Sequence, residues 1–261
     1  MSWVSEGDEL TPLNPQAAPT WLTPLVDNAH HVPRAYRRRV PPDVLALVMA
    51  ANAKAAMRGG ARDAAVLVLF SGPLDTTSDG LPEGADLLVT VRASTLRHHA
   101  GQAAFPGGAA DPGDRSPVHT ALREANEETG IDTDRLHPLA TLERLFIPPS
   151  GFHVVPVLAY SPDPGPVAVV NESETAIVAR VPVRAFINPE NRIMVHGSKT
   201  RFAGPAFLLN EMLVWGFTGQ VISAMLDVAG WAQPWNTDDI RELEDAMALV
   251  GHDDDYGVAQ Q

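Results

Sequence analysis

The sequence predicts an α+β protein, in which strand-like and helix-like segments follow one another without regular alternation. Apolar runs typical of buried strands cover residues 65–70 and 86–91. A glycine-containing loop at 107–113 then leads into a short helix at 117–129. A doubly wound parallel sheet would require a crossover helix after each strand, and the chain lacks that order. The arrangement of elements therefore favours the α+β class.

The region before the first strand has two parts of different composition. Residues 1–40 are rich in proline and polar residues and show no clear period, so we expect an irregular arm anchored by Trp3 and Trp21. Residues 37–39, three consecutive arginines, are interpreted as a solvated turn rather than a phosphate clamp. Two prolines at 41–42 then begin an alanine-rich helix that ends near residue 59.

The remaining elements are predicted from turn signals and apolar patterns. The helix at 117–129 has Pro117 in its first turn and Gly130 after its last residue, which are preferred positions for both residue types. We divide the chain into an irregular N-terminal arm at 1–40, a main domain with its N-terminal helix at 41–235, and a C-terminal helix with a mobile tail at 236–261. Further strands are expected at 101–105, 136–146, 153–160, 174–181 and 207–216, and further helices at 222–229 and 238–249.

Charge and cysteine content exclude several classes of function. The 261 residues carry a net charge of −13, from 32 acidic and 19 basic residues, which argues against binding nucleic acid or an anionic membrane. The chain has no cysteine, so disulfides, thiolate metal sites and cysteine nucleophiles are excluded. Its apolar runs are too short to span a bilayer, and residues 1–9 are acidic and lack a signal-peptide core. We therefore expect a cytoplasmic location.

The predicted helix at 117–129 carries three glutamates within five positions, namely Glu124, Glu127 and Glu128. Residues three and four apart share a helix face, so these carboxylates repel one another. They also lie near the helix C-terminus, where the macrodipole disfavours negative charge. A bound divalent cation would offset both the mutual repulsion of the carboxylates and the unfavourable macrodipole. Mg²⁺ prefers carboxylate oxygens and also binds substrate phosphates. The crowding therefore indicates a metal site for a phosphorylated substrate.

The glycine loop and this helix together resemble the Nudix box, the signature of hydrolases that cleave a nucleoside diphosphate linked to another group. In the family pattern five residues separate a glycine from an acid, as they separate Gly108 from Asp114 here. Asp114 replaces the usual glutamate, and eight residues instead of seven separate it from Arg123. The rest of the pattern is matched by the run Arg123-Glu124-Ala125-Asn126-Glu127-Glu128-Thr129-Gly130-Ile131.

A second motif resembles one subgroup of this superfamily, the coenzyme A pyrophosphatases. Their pattern runs Leu-Leu-Thr-x-Arg-Ser/Ala, then Arg, Gly and Phe-Pro-Gly-Gly at fixed spacing. Residues 88–108 match it, with Val89 in place of the second leucine. The subgroup also accepts an aspartate at position 114 and the additional residue before Arg123. The resemblance spans about residues 62–228 and covers neither the N-terminal arm nor the tail.

The resemblance implies a Nudix fold, a mixed β-sheet sandwiched between α-helices. It also implies metal-dependent hydrolysis of the pyrophosphate bond of coenzyme A or an acyl derivative, giving adenosine 3′,5′-bisphosphate and (acyl-)4′-phosphopantetheine. The cofactor would be Mg²⁺ or Mn²⁺ and the ligand a small-molecule nucleotide of the coenzyme A type. A homodimer is left open.

Individual roles are carried over by position in the two motifs. Metal ligands would be Glu124, Glu127, Glu128 and the backbone carbonyl of Gly108. Glu127 and Glu128 would also act in catalysis, with Arg123 orienting a glutamate and Glu174 serving as a further ligand or general base. Substrate-binding residues would be Arg92, Arg97, Ser150 and Phe152.

Each role competes with a structural explanation. The three glutamates could form a solvated acidic face, and each arginine could belong to an ordinary ion pair. Two other functions also stay open at this point. One is a Nudix hydrolase for NADH, ADP-ribose or a (deoxy)nucleoside triphosphate. The other is a non-catalytic nucleotide sensor on the same fold, although such domains typically lose the carboxylates that are present here.

Overall fold

A computed structural model of the chain describes residues 12–57, 62–74, 80–93, 101–147, 150–196, 202–210 and 212–250. Trp3, Arg97 and the tail at 251–261 lie outside these ranges. None of the helices in the described ranges has the length and hydropathy needed to cross a bilayer. The α-helices are α1 (Thr23–Asp27), α2 (Val32–Arg38), α3 (Pro42–Met57), α4 (Pro117–Thr129), α5 (Val183–Ile187), α6 (Gly216–Val228) and α7 (Leu243–Ala248).

The strands form two sheets, each with mixed pairing. They are β1 (Arg62–Ser71), β2 (Asp86–Arg92), β3 (Ala103–Ala104), β4 (Gly107–Ala109), β5 (His137–Thr141), β6 (Leu145–Ile147), β7 (Phe152–Ser161), β8 (Thr175–Pro182), β9 (Arg192–His196), β10 (Ala203–Leu209), β11 (Met212–Val214) and β12 (Ile240–Glu242). In the first sheet the order is β3-β2-β1-β7-β5, with β4 on β1, β6 on β7 and β8 on β2, and β1 pairs in parallel with β7. The second sheet has the order β11-β10-β9-β12, in which β9 and β12 are parallel.

Strand β1 is buried on both faces and separates two layers of helices. Successive side chains of a strand point to opposite faces. Leu67 and Leu69 belong to the cluster that contains the apolar face of α4. Val68 and Phe70 belong to the cluster that contains α1 and α6. The first sheet therefore lies between helices, which confirms the predicted α+β sandwich.

The expectation of an irregular arm at 1–40 is wrong for residues 12–40. This segment contains α1 and α2 and short 3₁₀ turns at Pro15–Ala17 and Ala29–His31. Proline is tolerated in the first turn of a helix, because backbone N–H groups there have no hydrogen-bond partner within the helix. Prolines occupy the first turn of both α1 and α2. The arginines at 37–39 accordingly lie at the end of α2 and just after it. The boundary at residue 40 itself stays a prediction.

Trp21 anchors this N-terminal segment to the core. Its side chain is buried, and its indole N–H donates to the carbonyl of Pro73 at 2.9 Å. Its ring meets those of Phe70, Tyr160 and Trp231 at centroid distances of 6.4, 6.1 and 6.3 Å. Aromatic rings at these separations pack favourably.

Three element assignments from the sequence also need correction. The strand expected at 136–146 is divided into β5 and β6, and the one at 207–216 is the hairpin of β10 and β11. The helix expected at 238–249 begins with β12, and only its second half, α7, is helical. Residues 240–242 pair with β9, and this long-range pairing outweighs local helix propensity.

Candidate active site

Helix α4 presents its apolar face to the first sheet, and Glu124 and Glu128 to the glycine loop. The helix begins at Ser116, whose hydroxyl oxygen accepts a hydrogen bond from the His119 N–H at 3.1 Å. It ends at Gly130, which has a left-handed conformation with φ +67°. The buried residues Val118, Ala121 and Ala125 recur at helical spacing and fix its rotation. This rotation turns Glu124 and Glu128 toward β4, while Glu127 is exposed.

The glycine loop approaches α4 and β1 closely because residues 107 and 108 lack side chains. Gly107 pairs with Val66 of β1, and a Cβ on Gly107 would lie 2.6 Å from the Val66 Cα. A Cβ on Gly108 would lie 2.5 Å from the carboxylate carbon of Glu124. The Gly107 N–H donates to Glu128 Oε2 at 3.2 Å. Glu124 and Glu128 are therefore both held against the loop backbone.

Arg123 connects several carboxylates beside the loop. Its Nε and Nη2 donate to the two oxygens of Asp114 at 3.1 and 2.9 Å. Its Nη2 also donates to Glu124 Oε1 at 2.9 Å, and its Nη1 to Glu127 Oε2 at 3.0 Å. These contacts are the ones that a residue orienting the glutamates requires. That role itself stays a prediction.

Burial and neighbouring charges shift the acidity of the carboxyl groups. Burial raises the pKa of Glu128 to about 7, and the negative charges of Glu124 and Glu174 act in the same direction. The hydrogen bond from Gly107 and the positive charge of Arg92 act in the opposite direction. Burial likewise raises the pKa of Glu124, although Arg123 opposes this change. Glu124 and Glu128 thus carry negative charge in a setting that disfavours it.

Arg92 reaches the site from the end of β2, and Glu174 from the turn just before β8. Arg92 ends β2 opposite Thr175 of β8, and the N–H of Ala93 donates to the carbonyl of Glu174 at 2.9 Å. Both side chains are close enough to shift the pKa of Glu128. The Nε of Arg92 is buried without a hydrogen-bond partner among the described residues. The structure therefore brings two more of the predicted site residues to the glutamates.

Ser150 and Phe152 lie farther along the sheet. Phe152 begins β7 and pairs with Arg62 of β1, whose guanidinium lies 4.1 Å from the centre of the Phe152 ring. The Ser150 hydroxyl donates to the carbonyl of Ile147 at 3.2 Å. Val66, the partner of Gly107, lies four positions after Arg62 along β1. This offset corresponds to about 13 Å along the strand. Their substrate-binding role stays a prediction, as does that of Arg97, which falls outside the described ranges.

The residues at the site fit a divalent cation in composition and charge. Glu124 and Glu128 offer half-buried carboxylate oxygens, and the missing Cβ of Gly108 leaves Glu124 room beside the loop backbone. Within the ranges that the structure describes, no three His, Cys, Asp or Glu side chains converge in the arrangement of a complete metal site. One reason is that Glu127 and Glu124 are hydrogen-bonded to Arg123. A cation shared by all three glutamates would require some of these bonds to open.

The role of Asp114 was not predicted from the sequence. Its side chain is almost fully buried, and besides Arg123 it accepts the backbone N–H of Asp111 at 2.9 Å. Burial alone would raise the pKa of Asp114, but the hydrogen bonds from Arg123 and Asp111 lower it to about 2. His119 Nδ1 lies 3.2 Å from Asp114 Oδ1, but the two atoms do not have the geometry of a hydrogen bond. The position of this acid in the box pattern was the available signal.

Comparison with known proteins relates these features to one family. Residues 79–198 match the family model described as the NUDIX domain. The chain is 36% identical over 138 residues to a protein named uncharacterized Nudix hydrolase NudL of Yersinia pestis (strain Pestoides F), which covers 52% of this chain and 68% of that protein. The protein of the same name from Yersinia pseudotuberculosis serotype O:1b (strain IP 31758) gives the same values. Among solved structures, the Nudix hydrolase RenU of M. smegmatis matches with 18% identity and a TM-score of 0.45, covering 67% of this chain and 91% of that chain.

Proposed function

Because this chain belongs to the Nudix hydrolase family, we propose that it cleaves the pyrophosphate bond of coenzyme A or an acyl-coenzyme A. The products are adenosine 3′,5′-bisphosphate and (acyl-)4′-phosphopantetheine. Family membership makes the protein a pyrophosphohydrolase that acts on a nucleoside diphosphate derivative. The choice of coenzyme A is supported by the match of residues 88–108 to the subgroup motif.

The observation that carries this proposal is the position of Glu128. Its carboxylate is hydrogen-bonded to the loop at Gly107 and lies within electrostatic reach of Glu124, Arg92 and Glu174. Acidic and basic groups from α4, from the end of β2 and from the turn before β8 thus meet beside a glycine backbone. A diphosphate needs this combination, since cations neutralise its charge and backbone without side chains allows close approach.

The assigned residues divide into metal ligands and groups that position them. Nudix hydrolases generally use divalent metal ions, and Glu124, Glu127, Glu128 and the Gly108 carbonyl would hold Mg²⁺ or Mn²⁺ here. Such an ion, when bound, polarises a phosphoryl oxygen and acidifies water. Arg123 holds Glu124 and Glu127 in orientation.

The remaining assigned residues act on the substrate and the attacking water. Arg92 and Arg97 bind phosphate oxygens as bidentate donors. Glu174 or Glu128 accepts the proton of the water that attacks phosphorus, as the P–O bond of the anhydride breaks. Ser150 and Phe152 contact the part of the substrate that extends along β1 and β7.

A panel of substrates tests the proposal. Coenzyme A, an acyl-coenzyme A, dephospho-coenzyme A, NADH, ADP-ribose and a deoxynucleoside triphosphate are incubated with Mg²⁺ or Mn²⁺, and products are resolved by chromatography. We expect cleavage of coenzyme A to adenosine 3′,5′-bisphosphate, and weaker cleavage of dephospho-coenzyme A, which lacks the 3′-phosphate. If coenzyme A is untouched while NADH, ADP-ribose or a triphosphate is cleaved, the substrate assignment is wrong and the alternative within the family holds.

Two further expectations from the sequence are separate from this reaction. Membership of the hydrolase family and the retained glutamates favour an enzyme over a non-catalytic nucleotide sensor. A homodimer stays a prediction, which sedimentation velocity tests.

A further inference from the structure

A second charged cleft lies on the other side of the first sheet from α4. It has a volume of about 510 Å³ and lies between α2 and α6, where it is lined by His31, Arg34, Arg38, Arg39 and Asp227, among others. Helices α2 and α6 pack on each other, and α6 belongs to the core cluster of Val68 and Phe70, while α4 packs on the opposite face. The cleft is therefore distinct from the glutamate site.

The cleft carries more positive than negative charge. Arg39 donates to the carbonyl of Ser223 at 3.3 Å and forms an ion pair with Asp227. Arg34 and Arg38 are exposed, and neither forms an ion pair with a carboxylate of the described residues. Asp227 is thus the acidic residue facing three arginines. The net charge of the whole chain is −13, so the positive charge of this cleft is opposite in sign to that of the protein.

A fourth arginine lies beneath the cleft and adds to this imbalance. Arg192 of β9 is buried, with its Nη2 donating to the Ser223 hydroxyl at 2.8 Å. Its Nε and Nη1 have no hydrogen-bond partner within the described part of the chain. Burial lowers the pKa of Arg192 to about 10, an effect that Asp227 opposes and Arg39 reinforces. This guanidinium also packs against the rings of Phe207 and Trp235, at 5.4 and 4.5 Å from their centres. Ser223 therefore connects the buried Arg192 to Arg39, which lines the cleft.

We propose that this cleft binds a small molecule carrying two or more phosphate groups. Exposed guanidinium groups one helical turn apart, as Arg34 and Arg38 are, bind phosphate oxygens as bidentate donors. A bound anion also offsets the net positive charge of the cleft, where one aspartate faces three arginines. A cleft of about 510 Å³ fits a nucleotide-sized ligand. The net charge of −13 disfavours a nucleic acid or an anionic membrane as the occupant.

Calorimetric titration of the whole protein with ADP in the presence of EDTA tests this proposal. Removing divalent ions leaves the glutamate site negatively charged, so ADP binding there is disfavoured. We expect binding in the micromolar to low millimolar range. The double variant Arg34→Gln/Arg38→Gln should bind ADP at least tenfold more weakly, and Arg34→Lys/Arg38→Lys should recover part of that loss. Inorganic pyrophosphate serves as a second probe and shows whether the phosphates alone suffice.

Two single variants serve as matched controls. Arg135→Gln changes an exposed arginine that pairs with Asp163 outside the cleft, and it should bind ADP like the unmodified protein. Arg92→Gln changes the glutamate site and should also leave this binding intact. The proposal is overturned if the protein does not bind ADP in EDTA, or if the double variant binds it unchanged. It is also overturned if Arg135→Gln or Arg92→Gln weakens binding as much as the double variant does.

Crystals of the unmodified protein soaked with ADP in EDTA show directly where the nucleotide binds. Phosphate density beside Arg34 and Arg38 supports the proposal, and density confined to the neighbourhood of Arg92 contradicts it. Because neither result depends on coenzyme A cleavage, failure of this proposal is distinguishable from failure of the proposed reaction.

Discussion

The carboxylate of Glu128 accepts a hydrogen bond from the backbone N–H of Gly107, 3.2 Å away. This contact joins the end of α4 to the glycine loop and holds the carboxylate in a partly buried position. The hydrogen bond stabilises the ionised form, yet burial still raises the pKa of Glu128 to about 7. Because burial disfavours the ionised form of this carboxylate, a bound cation would stabilise its negative charge.

Replacing Glu128 with glutamine should remove activity without unfolding the protein. Glutamine has the same shape and still accepts a hydrogen bond from Gly107, but it offers no negative charge to a cation. We expect kcat to fall roughly 10²- to 10³-fold with coenzyme A and Mg²⁺, as when one stabilising group of a transition state is removed. Glu83→Gln, at an exposed position outside α4 and the loop, is the matched control and should retain activity. Full activity in Glu128→Gln would remove Glu128 from the site.

The two glycines of the loop should respond differently to alanine. Gly108→Ala places a methyl group where the Glu124 carboxylate lies, so we expect activity to fall roughly 10- to 100-fold with little change in thermal stability. Gly107→Ala places a methyl group against the backbone of β1, at a residue with φ +155°. It should destabilise the fold by about 2–4 kcal/mol. Thermal unfolding and initial rates of both variants separate the two effects, and equal behaviour would contradict the close approach of Glu124 to residue 108.

Asp114→Asn should destabilise the protein by about 2–3 kcal/mol at pH 7, because the bidentate contact with Arg123 loses its charge. Asp114 has a pKa of about 2 when folded and 3.8 ordinarily, so its stabilising effect is complete above pH 4 and declines as the pH falls toward 2. The difference in unfolding free energy between the two proteins should therefore narrow in that range. Denaturant unfolding at several pH values measures it.

The control for Asp114 is Asp163→Asn, which removes the partner of Arg135. That pair is exposed, with relative side-chain exposures of 43% and 71%, so we expect a loss under about 0.5 kcal/mol at pH 7. A cost for Asp114→Asn no larger than this control would show that the Asp114–Arg123 pair does not stabilise the loop.

Trp21→Ala tests whether the N-terminal segment is part of the folded domain. The indole is buried against three aromatic rings and bonded to Pro73, so truncation should cost about 3–5 kcal/mol. Leu13→Ala, at a residue with 43% exposure, should change stability little. Chemical denaturation compares them. If Trp21→Ala unfolds like the unmodified protein, the segment contributes little to the core and the predicted boundary at residue 40 gains support.

Elements with local signals were predictable from the sequence. Helix α4 has the bounds that were expected, because Pro117 and Gly130 mark its ends through their own backbone preferences. Strand β1 was evident as an apolar run, although it is longer at both ends than predicted. The glutamates were recognisable because their spacing is unfavourable for an isolated helix.

Features that depend on long-range contacts were not predictable in this way. The strand at 240–242 exists because of β9, which lies more than 40 residues earlier in the chain. The arginines at 37–39 were interpreted as a solvated turn, and only the packing of α2 on α6 reveals that Arg38 and Arg39 border a cleft together with Arg34. The contact between Asp114 and Arg123 likewise depends on how the loop folds back on α4.

Anomalous diffraction can locate Mn²⁺ in crystals of the Glu174→Gln variant grown with coenzyme A, since this substitution should slow turnover of the substrate. This measurement tests whether the glutamates of α4 bind the metal. We expect a Mn²⁺ peak about 2.1 Å from carboxylate oxygens of Glu124 and Glu128, in contact with the substrate diphosphate. Bound substrate with no peak beside these two glutamates would contradict this expectation.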